Sequence, residues 1–82
     1  MSIKVEVISR RGYHLCEEVV ETINKIQKEL AFDFDIRYID SDFALELRFG
    51  EEVPVTLING ARHDFLRIDS ERFKREIIRQ LP

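Results

Sequence analysis

The spacing of apolar side chains changes sharply at Arg10-Arg11-Gly12, and that change restricts the fold more than any other feature of the chain. Before it, Ile3, Val5 and Val7 alternate with Lys4 and Glu6, the period of a half-buried strand. After it, from Tyr13 to about Leu30, the period is helical. At about 100° per residue, Cys16, Val19, Val20, Ile23, Ile26 and Leu30 share one stripe. His14, Glu17, Glu18, Glu21, Lys25 and Lys28 fall on the opposite side, and Gln27 is the one polar residue within the stripe. Glu17 and Glu18 sit in the first turn, where the helix dipole favours negative charge. Glu21 and Lys25 form a favourable i,i+4 pair.

The alternation resumes at Phe34, Ile36 and Tyr38, which predicts a second strand. A helix joining two strands makes them parallel, with a right-handed crossover. Ser41 or Asp42 caps a short helix with Phe43 and Leu47 as its apolar face, and Gly50 ends it. Val53 to Ile58 reads as a third strand, entered through Pro54. Asn59-Gly60 then supplies the two residues tolerant of positive φ that a type I′ hairpin turn needs. Arg62 to Ile68 is the returning strand. Asp69 or Ser70 caps a last helix, in which Phe73, Ile77 and Leu81 recur every fourth residue. The expected fold is therefore α/β, in the order βαβαββα. A mixed four-stranded sheet carries helices on both faces, and residues 1–82 form a single domain.

Composition narrows the function classes. At 82 residues the chain buries only about 60–65% of its unfolded surface, so the core is thin. Charged residues make up 35%, and no apolar run reaches the roughly 20 residues of a spanning helix, so no membrane role is expected. The net charge of −3, with no basic block, gives nucleic acid no support as a partner. Met1 to Glu6 shows no basic region followed by an apolar stretch. With a single cysteine, Cys16, this points to the cytoplasm.

The segment Arg10-Arg11-Gly12-Tyr13-His14-Leu15-Cys16-Glu17-Glu18 resembles the Gly-Cys-His-Leu-Cys-Glu stretch of small bacterial glutaredoxin-like proteins of the thioredoxin-fold superfamily. Glu51-Glu52-Val53-Pro54-Val55 resembles the segment that carries that fold's cis-proline. The resemblance spans nearly the whole chain. It implies a thioredoxin-like fold, a cis Val53–Pro54 bond facing the active-site loop, and a groove in which the backbone of Val53 meets an extended peptide or glutathione. One departure stands out. The family's Cys-x-x-Cys reads Tyr13-His14-Leu15-Cys16, so the first cysteine is a tyrosine.

That position decides the chemistry. The first cysteine of such a motif lies at a helix N-terminus, where free N–H groups and the dipole favour a thiolate that attacks a substrate disulfide. The second resolves the mixed disulfide. A phenol with an ordinary pKa near 10 takes no part in disulfide exchange. Cys16 shares the buried stripe, where desolvation and the neighbouring Glu17 and Glu18 disfavour its thiolate, against the pull of Arg10, Arg11 and the dipole. Three functional expectations follow, the last a subunit or accessory domain whose role lies in an interface. In the first, the protein has lost dithiol exchange and binds a protein or thiol partner in the old groove, through Arg10, Arg11, Gly12, Tyr13, His14, Val53 and Pro54. In the second, it is a monothiol oxidoreductase with Cys16 as the catalytic residue, working with glutathione. Glutathione binders of the family usually carry a Gly-Gly pair before the last helix, whereas this chain reads Phe65-Leu66-Arg67-Ile68-Asp69-Ser70. Asp69 and Ser70 suit either the γ-glutamyl end or a helix cap. No cofactor is otherwise expected, and no metal, since His14 and Cys16 do not share a helix face and His63 lies on another element.

Overall fold

The computed structural model describes residues 2–82. Strand β1 (Lys4–Ser9) leads into α1 (His14–Gln27), and β2 (Asp33–Tyr38) into α2 (Phe43–Phe49). Then come β3 (Val55–Ile58), β4 (Ala61–Phe65) and α3 (Ser70–Gln80). The sheet order is β2-β1-β3-β4. β1 runs parallel to β2, as a helical crossover requires, and antiparallel to β3. β3 and β4 are antiparallel, with an irregularity between Thr56 and Leu57. The hairpin turn has the expected backbone, with Asn59 at φ 49° and Gly60 at φ 84°. Asn59 also locks the turn to β1: its N–H donates to the Lys4 carbonyl at 2.7 Å and its Oδ1 accepts the Lys4 N–H at 2.8 Å.

Two apolar clusters lie on the two faces. On one, Val5, Val7 and Ile58 of the sheet meet Val19, Ile23 and Ile26 of α1 and Phe73 and Ile77 of α3. Phe73 is fully buried, edge-on to Phe32 at 5.7 Å and to His63 at 5.9 Å. Burial of such a ring contributes about 2–3 kcal/mol. On the other face, Ile8 and Val55 meet Phe49 of α2, and this cluster reaches round to Cys16, Ile39 and Val53. Among the described residues no helix is long and apolar enough to cross a membrane.

The structure corrects the buried face of α2 and the bounds of three other elements. Phe43 and Leu47, expected as the buried face of α2, are 76% and 72% exposed. The Asp42 carboxylate caps the helix by accepting the Leu45 N–H at 3.1 Å, and that fixes its phase. Leu45 and Phe49 then face the sheet, and residues two positions away fall about 200° round the helix. β4 ends at Phe65, because Leu66 turns at φ 64° and donates its N–H to the Pro54 carbonyl at 2.8 Å. Helix α1 stops at Gln27, before Leu30, and Tyr13 is its N-cap rather than its first residue. β3 begins at Val55, after Pro54, which has no N–H for the ladder.

His63 gives the fold a pH dependence. Its Nε2 is buried without a partner. Burial, then Arg72, pushes its pKa below the ordinary 6.5, while Asp64, Glu76 and Asp69 pull the other way. The unfolded chain therefore takes up a proton that the folded chain refuses. This contribution to stability is complete above pH 6.5 and is lost as pH falls towards the folded pKa. Urea midpoints should fall from pH 8 to pH 5, and His63→Gln should flatten that part of the profile. The steeper loss below pH 4.5 should remain, because Arg62 lowers Glu52 and Arg79 with Gln80 lowers Glu76 to about 2. A wild-type profile already flat between pH 8 and 5 would contradict this assignment.

Candidate functional site

The site is built where β1 gives way to α1. Gly12 turns the chain at φ 75°, a conformation that L side chains rarely adopt, although a Cβ there would touch nothing within 4 Å. Tyr13 follows in extended conformation as N-cap and supplies no side-chain cap. Its carbonyl accepts the Cys16 N–H at 3.0 Å and the Glu17 N–H at 3.2 Å. Cys16 thus lies one turn inside the helix. It is 3% exposed, and its Sγ accepts the Arg10 N–H at 3.4 Å.

Tyr13 is half-buried and packs against the cluster that holds Cys16 and Val53. Its ring meets the exposed His14 ring edge-on at 5.6 Å. The Val53–Pro54 peptide is cis, and both residues are buried. Val53 lies two residues before the start of β3, so its backbone stands outside the sheet ladder. The structure therefore brings Tyr13, Cys16 and Val53 together in one cluster.

The two arginines do not join them. Arg10 turns towards α2, where Nη2 donates to Glu46 Oε1 and to the Gly50 carbonyl, each at 3.1 Å. This leaves Arg10 tying the loop to the end of α2 rather than waiting for an anion. Arg11 lies over the Tyr38 ring, 3.9 Å from its centroid, and its N–H donates to Asp40 Oδ1 at 2.9 Å. The second histidine, His63, is remote, packed against Phe73. Among the described residues no group of three His, Cys, Asp or Glu side chains is placed to hold a metal.

A groove of about 570 Å³ opens on the other flank of Cys16, between α1 and the edge strand β2. The sequence pattern does not reveal it. Ser9, Ile36 and Tyr38 line it, and their alternating positions show only that they belong to strands. Adjacency between α1 and β2 becomes visible only once the sheet order is known.

A parallel β1–α1–β2 unit, an antiparallel β3–β4 hairpin and a cis proline following a valine that packs with the α1 N-terminus define a thioredoxin-fold protein. A thioredoxin from Fasciola hepatica superposes with a TM-score of 0.66 over 98% of this chain and 82% of its own, at 13% identity, a likeness of fold alone. The chain belongs to the glutaredoxin-like domain (DUF836) family, whose profile matches residues 4–78. An uncharacterized protein of Mycobacterium tuberculosis is 32% identical over 83 aligned positions, covering 93% of this chain and 84% of the relative. The solution structure of protein Ne2328 from Nitrosomonas europaea matches with a TM-score of 0.81 at 25% identity, over 94% of this chain and 93% of that one.

Proposed function

We propose that this glutaredoxin-like domain has lost dithiol–disulfide exchange and uses the former active-site face to hold an extended partner segment or a thiol ligand. The observation that carries the reading is Tyr13 at the N-cap, one turn ahead of a buried Cys16. Dithiol exchange needs two thiols in turn. The first thiolate attacks the substrate disulfide and releases one substrate thiol. The second attacks the resulting mixed disulfide, releases the other substrate thiol and closes an internal disulfide. A phenol at the first position forms no mixed disulfide, so the second step has nothing to act on.

What remains is a surface for recognition. Val53 offers backbone groups outside the ladder, and Gly12, Tyr13 and His14 form the opposite lip. Glutathione is a poor fit. The groove beside the β4–α3 loop holds only about 190 Å³ and is lined by Glu18. Leu66 and Arg67 stand where a glutathione binder carries small residues, and Asp69 Oδ1 is committed to the Arg72 N–H as a helix cap at 3.1 Å. A chain with one cysteine and no disulfide suits a reducing compartment such as the cytoplasm.

A monothiol oxidoreductase acting through Cys16 is the second reading. The Arg10 N–H aimed at Sγ favours it, and the 3% exposure opposes it. Reduction of insulin disulfides separates dithiol chemistry from its loss. With dithiothreitol as the terminal reductant, the protein should not accelerate insulin precipitation above the protein-free rate. Acceleration comparable to that by a thioredoxin would overturn the proposal.

A further inference from the structure

The groove between α1 and β2 shares Gly12 and Cys16 with the Tyr13–Val53 face but extends from them along α1, and its lining has a definite chemical character. It follows α1 from Glu17 to the C-cap residue Lys28, about 16 Å along the helix axis. One wall is apolar, with Val20 of α1 facing Ile36 and Tyr38 of β2. Four cations and two carboxylates line it, in a chain whose net charge is −3. Two of the cations are already engaged, Arg10 by Glu46 and Lys25 by Glu21. Among the described residues, Arg11 and Lys28 have no carboxylate partner for their side chains, and of the two lining carboxylates only Glu17 is not already paired.

Arg11 is prepared for an anion. Its guanidinium carbon lies 3.9 Å from the Tyr38 ring centroid, a cation–π contact that holds the group over the ring while its N–H donors, without a carboxylate partner, can serve a bidentate carboxylate. A second feature points the same way. Ser9, at the end of β1, lines the groove and is 1% exposed, and its Oγ has no hydrogen-bond partner. A buried hydroxyl left unpaired costs stability, and a ligand or its bound water supplies the missing partner.

We propose that this groove binds a small organic carboxylate with a flat apolar body, its carboxylate on the edge of Arg11 and its body between Val20, Ile36 and Tyr38. Shape and charge are both required. A neutral analogue loses the Arg11 contact, and a bare anion gains nothing from the apolar walls.

The test is an NMR titration of the ¹⁵N-labelled protein with 2-naphthoate, 2-naphthamide and inorganic phosphate. With naphthoate, saturable shifts are expected at the amides of Arg11, Val20, Asn24, Ile36 and Tyr38. Naphthamide and phosphate should each bind roughly tenfold or more weakly, and Arg11→Gln should weaken naphthoate to a similar degree. Ser9→Ala should weaken binding with no loss in thermal midpoint, since the Oγ has no hydrogen-bond partner within the protein. Non-saturating shifts, equal binding of the amide or of phosphate, or full affinity in Arg11→Gln would overturn the proposal. Shifts centred instead on Tyr13 and Val53 would also overturn it, while leaving the reading of that face intact.

Discussion

Tyr13→Cys is expected to take the protein from no internal disulfide to complete closure of a 13–16 bridge under mild oxidation. Tyr13 is the N-cap, with φ −93° and ψ 118°, and its carbonyl accepts the Cys16 N–H at 3.0 Å. Residues three apart across a first helical turn have neighbouring Cβ atoms, within a small adjustment of the roughly 3.5–4.5 Å that a disulfide spans. The new thiol sits at the helix tip, where free N–H groups and the dipole favour a thiolate. It lies on the half-exposed side, while Cys16 waits beneath it. Free-thiol titration should therefore fall from two thiols per chain to none, with no disulfide-linked dimer on a non-reducing denaturing gel. The oxidised form should be reducible by dithiothreitol, and the variant should accelerate insulin reduction where the parent does not. Loss of the Tyr13 ring from its cluster costs stability, on the order of 1–3 kcal/mol, so the assay belongs well below the melting temperature. Oxidation that yields only intermolecular dimers would show that residue 13 does not occupy the first-cysteine position.

Much of this architecture is legible in the sequence because local signals agree with one another. The switch from period two to period 3.6 at Arg10-Arg11-Gly12 marks β1 and α1, and Asn59-Gly60 marks the hairpin through backbone chemistry alone. Periodicity by itself assigns Cys16 to the core, because its stripe holds Val19, Ile23 and Ile26, and all four prove buried. Legibility fails where partners from distant elements decide. The phase of α2 depends on how the Asp42 cap sets it against Ile8 and Leu57, so the apolar pair Phe43 and Leu47 pointed to the wrong face. The early end of β4 comes from Leu66 bonding to the Glu52 and Pro54 carbonyls, a tie to a segment on the far side of the hairpin. At the candidate site, the sequence located Tyr13, Cys16, Val53 and Pro54. It did not show that Arg10 is claimed by Glu46 and Gly50, or that Arg11 rests on Tyr38 beside an open groove.

The central claim is that the surviving cysteine is a packed core residue beneath Tyr13 and not a working nucleophile. The most direct measurement is the rate at which iodoacetamide modifies Cys16 in the native protein, compared with the same chain in urea at the same pH. Cys16 is 3% exposed and packed in the cluster of Ile8, Ile39, Phe49, Val53 and Val55, so reaction must wait for a local or global opening. The native rate should be slower by on the order of 100-fold or more. A native rate equal to or above that of the unfolded chain would contradict the account and make Cys16 an accessible, reactive thiol.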